Sequence, residues 1–247
     1  MKFKFLFSIL PLILFELHAQ PTNLLEEARL LERQFKTMDA IRKYEMALVS
    51  MPNNVPVLVR LTELYCMEGN SNPNESKSLY ALANQFATRA FEVDSNRADV
   101  HYAKALVLGR LIQHASIKEK TSLTVQIREQ VEIALKIDSL FTKAIYTLAK
   151  WHDEVSSLNP AARAALKFMQ KGFPPASAED AIALYEKARK LDPGFMPNNL
   201  DLAMAYKRQG KSDKAIELLK FQIKLPMKTK EDQEIKLKSK QLLESLQ

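Results

Sequence analysis

A chain of 247 residues, 47% of them hydrophobic, is long enough for one large domain or an elongated repeat array and too apolar for a disordered polypeptide. Five glycines are few for this length, and because sheets spend glycine on tight turns while helices exclude it, the count favours an all-helical fold. A formal net charge of +7 is a mild excess that serves solubility, and the single cysteine, Cys66, excludes an internal disulfide and has no zinc-type Cys/His cluster around it.

The N-terminus reads as a targeting segment. Lys2 and Lys4 give a positive start, an apolar run follows from Phe5 to Phe15, and Leu17-His18-Ala19 ends it with a small residue. This is the pattern of a secretory signal, with cleavage expected after Ala19. The run is short for a bilayer and Pro11 interrupts it; the alternative is an uncleaved signal that anchors the chain in a membrane. No cysteine follows the run, which excludes lipid attachment at a new N-terminal cysteine. Cleavage removes Lys2, Lys4 and Glu16, leaving 34 basic and 28 acidic residues, a net of +6. The expected location is periplasmic or extracellular, which a cysteine-poor mature chain fits.

Beyond the signal, one pattern recurs. In residues 22–53, Ala28 is the small residue of a first helix, and Ala40, Tyr44, Ala47 and Pro52 follow at spacings of 4, 3 and 5. The next unit begins near Val55, with Leu58, Leu61 and Tyr65 inward, a loop expected from Gly69 to Asn74, and Ala83, Ala87, Ala90 and Ser95 at the same spacings. A third has Ala105 and Leu108, then Ile127, Val131, Ala134 and Ser139. Ser116 and Glu119 form a capping box, so its second helix is expected over Ile117 to Ile137. The fourth has Leu148, Ala149 and Trp151 before an insertion. Asn159-Pro160 can start an extra helix there and Gly172 can end it.

The second helix of that fourth unit is the clearest in the chain. Ser177 can cap it with Asp180, and Ala181, Tyr185, Ala188 and Pro193 repeat the 4, 3, 5 spacing. The fifth unit is compact: Leu202, Ala203 and Tyr206, a turn at Gly210, then Ala215 and Leu219. After Pro226, Thr229 and Asp232 cap a last helix whose stripe is Ile235, Leu242, Leu243 and Leu246. A solenoid needs such a terminal unit with a polar outer face.

Small residues at helix crossings, an aromatic between neighbours and a proline stop are the template of the 34-residue tetratricopeptide repeat. The expected fold is all-α: a right-handed α-solenoid of about five tetratricopeptide-like helix pairs, with an inserted helix and a C-terminal capping helix. The expected division is a signal peptide at 1–19, the array at 20–228 and the capping helix at 229–247.

Four stretches add a resemblance. SIKEKTSLTVQIREQVEIALKIDS at 116–139, AKWHDEVSSLN at 149–159, FPPASAEDAIALYEKARKLDPGF at 173–195 and LPMKTKEDQ at 225–233 are similar to the regulator of microtubule dynamics family of tetratricopeptide proteins. The resemblance covers about 101–246; the first two repeats match the generic pattern. It implies a right-handed helical array used for contacts and not for chemistry. Eukaryotic members of that family are linked to microtubules and to organelle membranes. An export signal would take this chain away from any cytoskeleton, so that role is not expected to carry over.

The sequence contains no HExxH pair, GxGxxG, P-loop or GxSxG. His101, His114 and His152 are scattered, and His152-Asp153-Glu154 cannot converge, because neighbours on one helix point in different directions. Cys66 has no nucleophile motif around it and is expected as a structural thiol. No enzyme, cofactor or metal site is expected. The binding surface of such an array is its concave face, lined by the first helices. Counting from each repeat start, the groove candidates are Arg29, Glu63, Tyr102, Leu106, Tyr146, Lys150, Met204 and Lys207. Tyrosine beside lysine suits an extended peptide or a carboxylate.

From Lys207 to Gln247 eleven Lys/Arg stand against six Asp/Glu. That basic end could meet an anionic membrane surface, but no aromatics are interleaved with it to stack on nucleic acid. The expected function is an exported, non-enzymatic scaffold or adaptor that binds a protein or peptide partner in its groove. The alternatives are a membrane-surface module using the basic end, or a small-ligand-binding protein with a pocket in the 159–175 insertion.

Overall fold

The structure is a computed structural model and describes residues 21–169, 173 and 175–247. The segment read as an export signal, Gly172 and Pro174 lie outside the described residues. The described residues form α-helices joined by short loops, and no strand. α1 (Pro21–Arg33) pairs with α2 (Thr37–Ser50), α3 (Val55–Ser71) with α4 (Ser76–Val93), and α5 (Ala98–Leu111) with α6 (Ile117–Ile137). α7 (Thr142–Ser156) pairs with α9 (Ala178–Leu191), the inserted α8 (Pro160–Met169) lying between them in sequence. α10 (Met196–Arg208) pairs with α11 (Ser212–Gln222), and α12 (Glu231–Glu244) closes the array. Among the described residues no helix is long and apolar enough to cross a membrane.

The recurring spacing builds the core. Ala40 and Ala47, Ala83 and Ala90, and Ala181 and Ala188 are all fully buried. A methyl side chain at each crossing lets two backbones approach closely, and Tyr44 and Tyr185 fill the gaps beside them. A second periodicity ties one pair to the next. The Tyr65 hydroxyl donates to Glu45 at 2.6 Å, and Tyr206 donates to Glu186 at 2.6 Å. Glu45 follows Tyr44 and Glu186 follows Tyr185, so the two links are equivalent.

Helix starts follow their caps. Asn54 Oδ1 accepts from Val57 N at 3.2 Å, and Asn159 Oδ1 from Ala162 N at 2.8 Å. Ser116 and Glu119 form the full capping box, and α6 runs over the expected Ile117–Ile137. Ser177 Oγ accepts from Asp180 N at 3.0 Å. The first and last pairs turn alike: Gly210 sits at φ +68° and Phe35 at φ +60°, a left-handed turn that costs a non-glycine residue about 1 kcal/mol.

The loop expected from Gly69 is shorter. α3 runs through Ser71, and Asn72 ends it with its side-chain amide donating to the Glu68 carbonyl at 3.2 Å. Gly69 serves close approach and not a turn: a Cβ there would lie 2.4 Å from Tyr80 Cε1. Tyr80 is buried and its hydroxyl is held by Asn70 Oδ1 at 2.9 Å, so the ring cannot give way. Gly109 is the contrast, also helical, with nothing within 4 Å of the added carbon. Gly69→Ala is expected to destabilise by about 2 kcal/mol. Gly109→Ala is expected to stabilise by about 0.5–1 kcal/mol. Shifts of opposite sign in the urea midpoint check this pair.

Trp151 anchors the insertion. Its indole N–H donates to the Thr124 carbonyl of α6 at 2.8 Å, and its ring stacks on Phe173 at 5.8 Å. The Arg128 guanidinium lies 4.7 Å over the same ring and donates to the Pro175 carbonyl at 3.2 Å. Ser177 N donates to His152 Nδ1 at 3.4 Å. The stretches that carry the family resemblance at 149–159 and 173–195 therefore meet around one indole. At the far end, α12 covers α10 and α11 through buried Ile235 and a Gln222–Ser239 hydrogen bond of 2.7 Å. The Asp232 carboxylate accepts from Lys228 N at 2.7 Å and Thr229 N at 2.9 Å, so the expected cap residues set its entry.

Candidate functional site

α3, α5, α7 and α10, the first helices expected to line the groove, lie side by side. Stripes at spacings of three and four carry their side chains: Tyr102, Leu106 and Arg110 on α5, and Lys143, Tyr146 and Lys150 on α7. Glu63 on α3 accepts from Lys143 and from Arg60, the latter at 2.6 Å. Arg60 also pairs with Glu32 of α1. Lys143 sits 5.6 Å over the Tyr102 ring, which packs edge-on against Phe141 at 5.5 Å. Tyr146 donates to Asp201 of α10 at 2.9 Å, and Lys150 lies 3.6 Å from the same carboxylate and 3.1 Å from Glu154.

Four of the eight groove candidates thus fall in two contact sets, Glu63 and Tyr102 around Lys143, and Tyr146 and Lys150 around Asp201. Leu106 and Met204 pack at the edges of the first and last core clusters. Arg29 is exposed and pairs with Glu26 at 2.5 Å, and Lys207 is exposed and donates to Ser245 at 3.0 Å. Counting from repeat starts missed Lys143, Arg110 and Asp201. The first two lie one turn along stripes already identified, so the helical period alone points to them. Asp201 carries no such signal.

Burial and pairing set the protonation of the face. Burial alone would raise the Glu63 carboxyl, but Lys143 and Arg60 outweigh it and hold the group below its ordinary range. For Lys150, burial would lower the ammonium, and Asp201 and Glu154 outweigh it, so its pKa is raised. Burial, with Asp201 adding to it at Tyr146, keeps the Tyr102 and Tyr146 phenols well above their usual range. Cys66 is buried beneath this surface and burial pushes its thiol up to about 12, which leaves it protonated and unreactive. On α7, His152, Asp153 and Glu154 diverge as expected: His152 faces Ser177 N, Asp153 pairs with Arg208 at 2.5 Å, and Glu154 pairs with Lys150.

The array curls far enough for its ends to touch. The connector from α11 to α12 and the first residue of α12 reach α3. Lys230 Nζ lies 3.6 Å from Glu68 Oε1, and Asn70 Nδ2 donates to Glu231 Oε1 at 3.2 Å. A cleft of about 220 Å³ opens beside this contact, lined by Lys36, Thr37, Met38, Asp39, Glu68 and Lys230.

The Regulator of microtubule dynamics protein 1-3 family matches residues 24–247. Regulator of microtubule dynamics protein 3 of Bos taurus is 27% identical over 178 residues, 71% of this chain and 38% of its own length. Regulator of microtubule dynamics protein 1 of Homo sapiens is 26% identical over 190 residues, 76% of this chain and 60% of its own. The chain thus spans less than two thirds of the length of these curated relatives. Among solved structures, the thermophilic TPR protein TTC0263 of Thermus thermophilus superposes with a TM-score of 0.64 at 14% identity, covering 90% of this chain and 98% of that one. Yeast Tom70 does so with a TM-score of 0.52 at 16% identity, covering 92% of this chain and 40% of that one. At these identities the likeness is one of fold, a tetratricopeptide solenoid. The family match begins at residue 24, so the resemblance expected from residue 101 onward extends over the first two repeats as well. The chain belongs to the regulator of microtubule dynamics protein 1-3 family.

Proposed function

We propose that the chain is a non-catalytic scaffold that holds a protein or peptide partner along its concave face. One observation carries the reading. Lys143 and Lys150 stand on one stripe of α7, each with 41% of its side chain open to solvent, and each is tethered to an acid, Glu63 or Asp201, that is only 13% exposed. An ammonium has three donors, and the buried acids use only part of that set. The remaining donors face the groove on side chains whose freedom is already spent, which lowers the cost of ordering them on a partner. Carbonyls or carboxylates of an extended segment suit such a line. The same reading keeps the 1–19 segment as an export signal and places the scaffold in the periplasm or outside the cell.

The test combines Tyr146→Phe with Lys150→Gln in the full chain. Capture of its partner is expected to fall at least about tenfold, the loss of one charged contact, with helicity by circular dichroism unchanged. Undiminished capture by the folded variant would remove the groove from the account.

A further inference from the structure

The last helix is fastened to its own end of the array by apolar packing, and it meets the other end through polar side chains. Ile235 of α12 belongs to the cluster of Tyr185, Leu202 and Leu219, and among the described residues that cluster holds no member of α3. Leu58, Leu61 and Tyr65 of α3 belong to a separate cluster, which extends no further than α5. What joins the two ends is the contact at α3. Lys230 Nζ lies 3.6 Å from Glu68 Oε1, and Asn70 Nδ2 donates to Glu231 Oε1 at 3.2 Å.

Both α3 groups are held in place by their own neighbours. Glu68 is buried, and the same Oε1 accepts from Asn72 Nδ2 at 2.5 Å. Asn70 Oδ1 accepts from the hydroxyl of buried Tyr80 at 2.9 Å, which turns the amide nitrogen toward Glu231. On the other side, Asp232 fixes the backbone of Lys228 and Thr229, so Lys230 and Glu231 sit on an ordered entry to α12. The Lys230 side chain is 45% exposed, and an ion pair that open to water weakens as salt screens it. An apolar seam does not. Ends joined by two such contacts, with a cleft of about 220 Å³ beside them, part far more readily than a packed helix pair.

We infer that Glu68 and Asn70 with Lys230 and Glu231 form a clasp that closes the array end to end. Salt, or loss of one of its polar groups, opens it, and the last pair with α12 swings away from α3 as one body. The two states differ in the distance between the ends, so any ligand that touches both ends biases the equilibrium.

Spin labels on Ser71→Cys and Gln233→Cys, exposed positions one and two residues past the clasp, report that distance by pulsed electron resonance in the full chain. Cys66 is buried and is expected to stay unlabelled, which the unsubstituted chain checks. At low salt one narrow distance is expected. In about 1 M NaCl, where charges are screened within about 3 Å, a second population is expected, longer by about 5 Å or more, the length of a helical turn. Lys230→Glu and Asn70→Ala are expected to show that population at low salt with helicity unchanged, while Lys230→Arg keeps the narrow distance. A narrow distance that survives both salt and the substitutions overturns the clasp. So does a broad distribution in the unchanged clasp at low salt, which would mean that the ends are not joined. If the substituted chains lose helicity, the salt series decides: no longer population at about 1 M overturns the inference.

Discussion

Trp151→Ala is expected to destabilise the chain by about 3–5 kcal/mol, the range for removing a large buried aromatic. The indole does three things at once. It fills the space between α6 and α7, donates to the Thr124 carbonyl, and offers one face to Arg128 and a ring to Phe173. Removing it leaves a cavity, takes the indole donor from the Thr124 carbonyl and frees the returning end of the insertion. Limited proteolysis should therefore cut between residues 157 and 177 sooner in the variant. Trp151→Phe keeps most of the stacking and loses the N–H, so about 1–2 kcal/mol is expected. Urea unfolding of the three proteins gives the comparison. Equal stability of Trp151→Ala and the unchanged chain would show that the insertion is not fastened at this residue.

Glu63→Gln has the second largest expected effect, about 3 kcal/mol at neutral pH, because it leaves Lys143 without its buried acid and cuts one link of Arg60. The pH dependence carries a sign. Lys143 and Arg60 depress the Glu63 carboxyl below 4.5 in the folded chain, so the unfolded chain takes up its proton first as acid is added. The stabilisation is complete above 4.5 and is lost as pH falls through the lower folded value. Glu63→Gln should flatten stability over that acid window and leave the alkaline side unchanged. A variant that kept the full acid slope would assign that slope to other carboxylates.

Much of the fold is legible because its signals are local. The 4, 3, 5 spacing places Ala181, Tyr185 and Ala188 on one face, and Ser116 with Glu119 fixes the start of a 21-residue helix before any contact is known. Gly69 shows the limit. Glycine serves a turn and a close approach equally well, and only the Tyr80 ring distinguishes them. The concave face is half legible for a related reason. Counting finds Glu63, Tyr102, Tyr146 and Lys150, since each sits on a first helix at a repeat position. It cannot find that Glu63 pairs with Lys143, 80 residues on, or that Asn70 meets Glu231, 161 residues on. Those contacts depend on the stacking of several pairs, which no single repeat specifies.

Partners are expected to bind the concave face. Cross-linking the captured complex and locating the linked residues by mass spectrometry tests it most directly. Links are expected to concentrate on the open lysines of α7 and on neighbouring first helices, led by Lys143 and Lys150, with loss of the complex when Tyr146 and Lys150 are both replaced. Links confined to the outer faces of α2, α4, α6 and α9, with the complex intact in that variant, would contradict it.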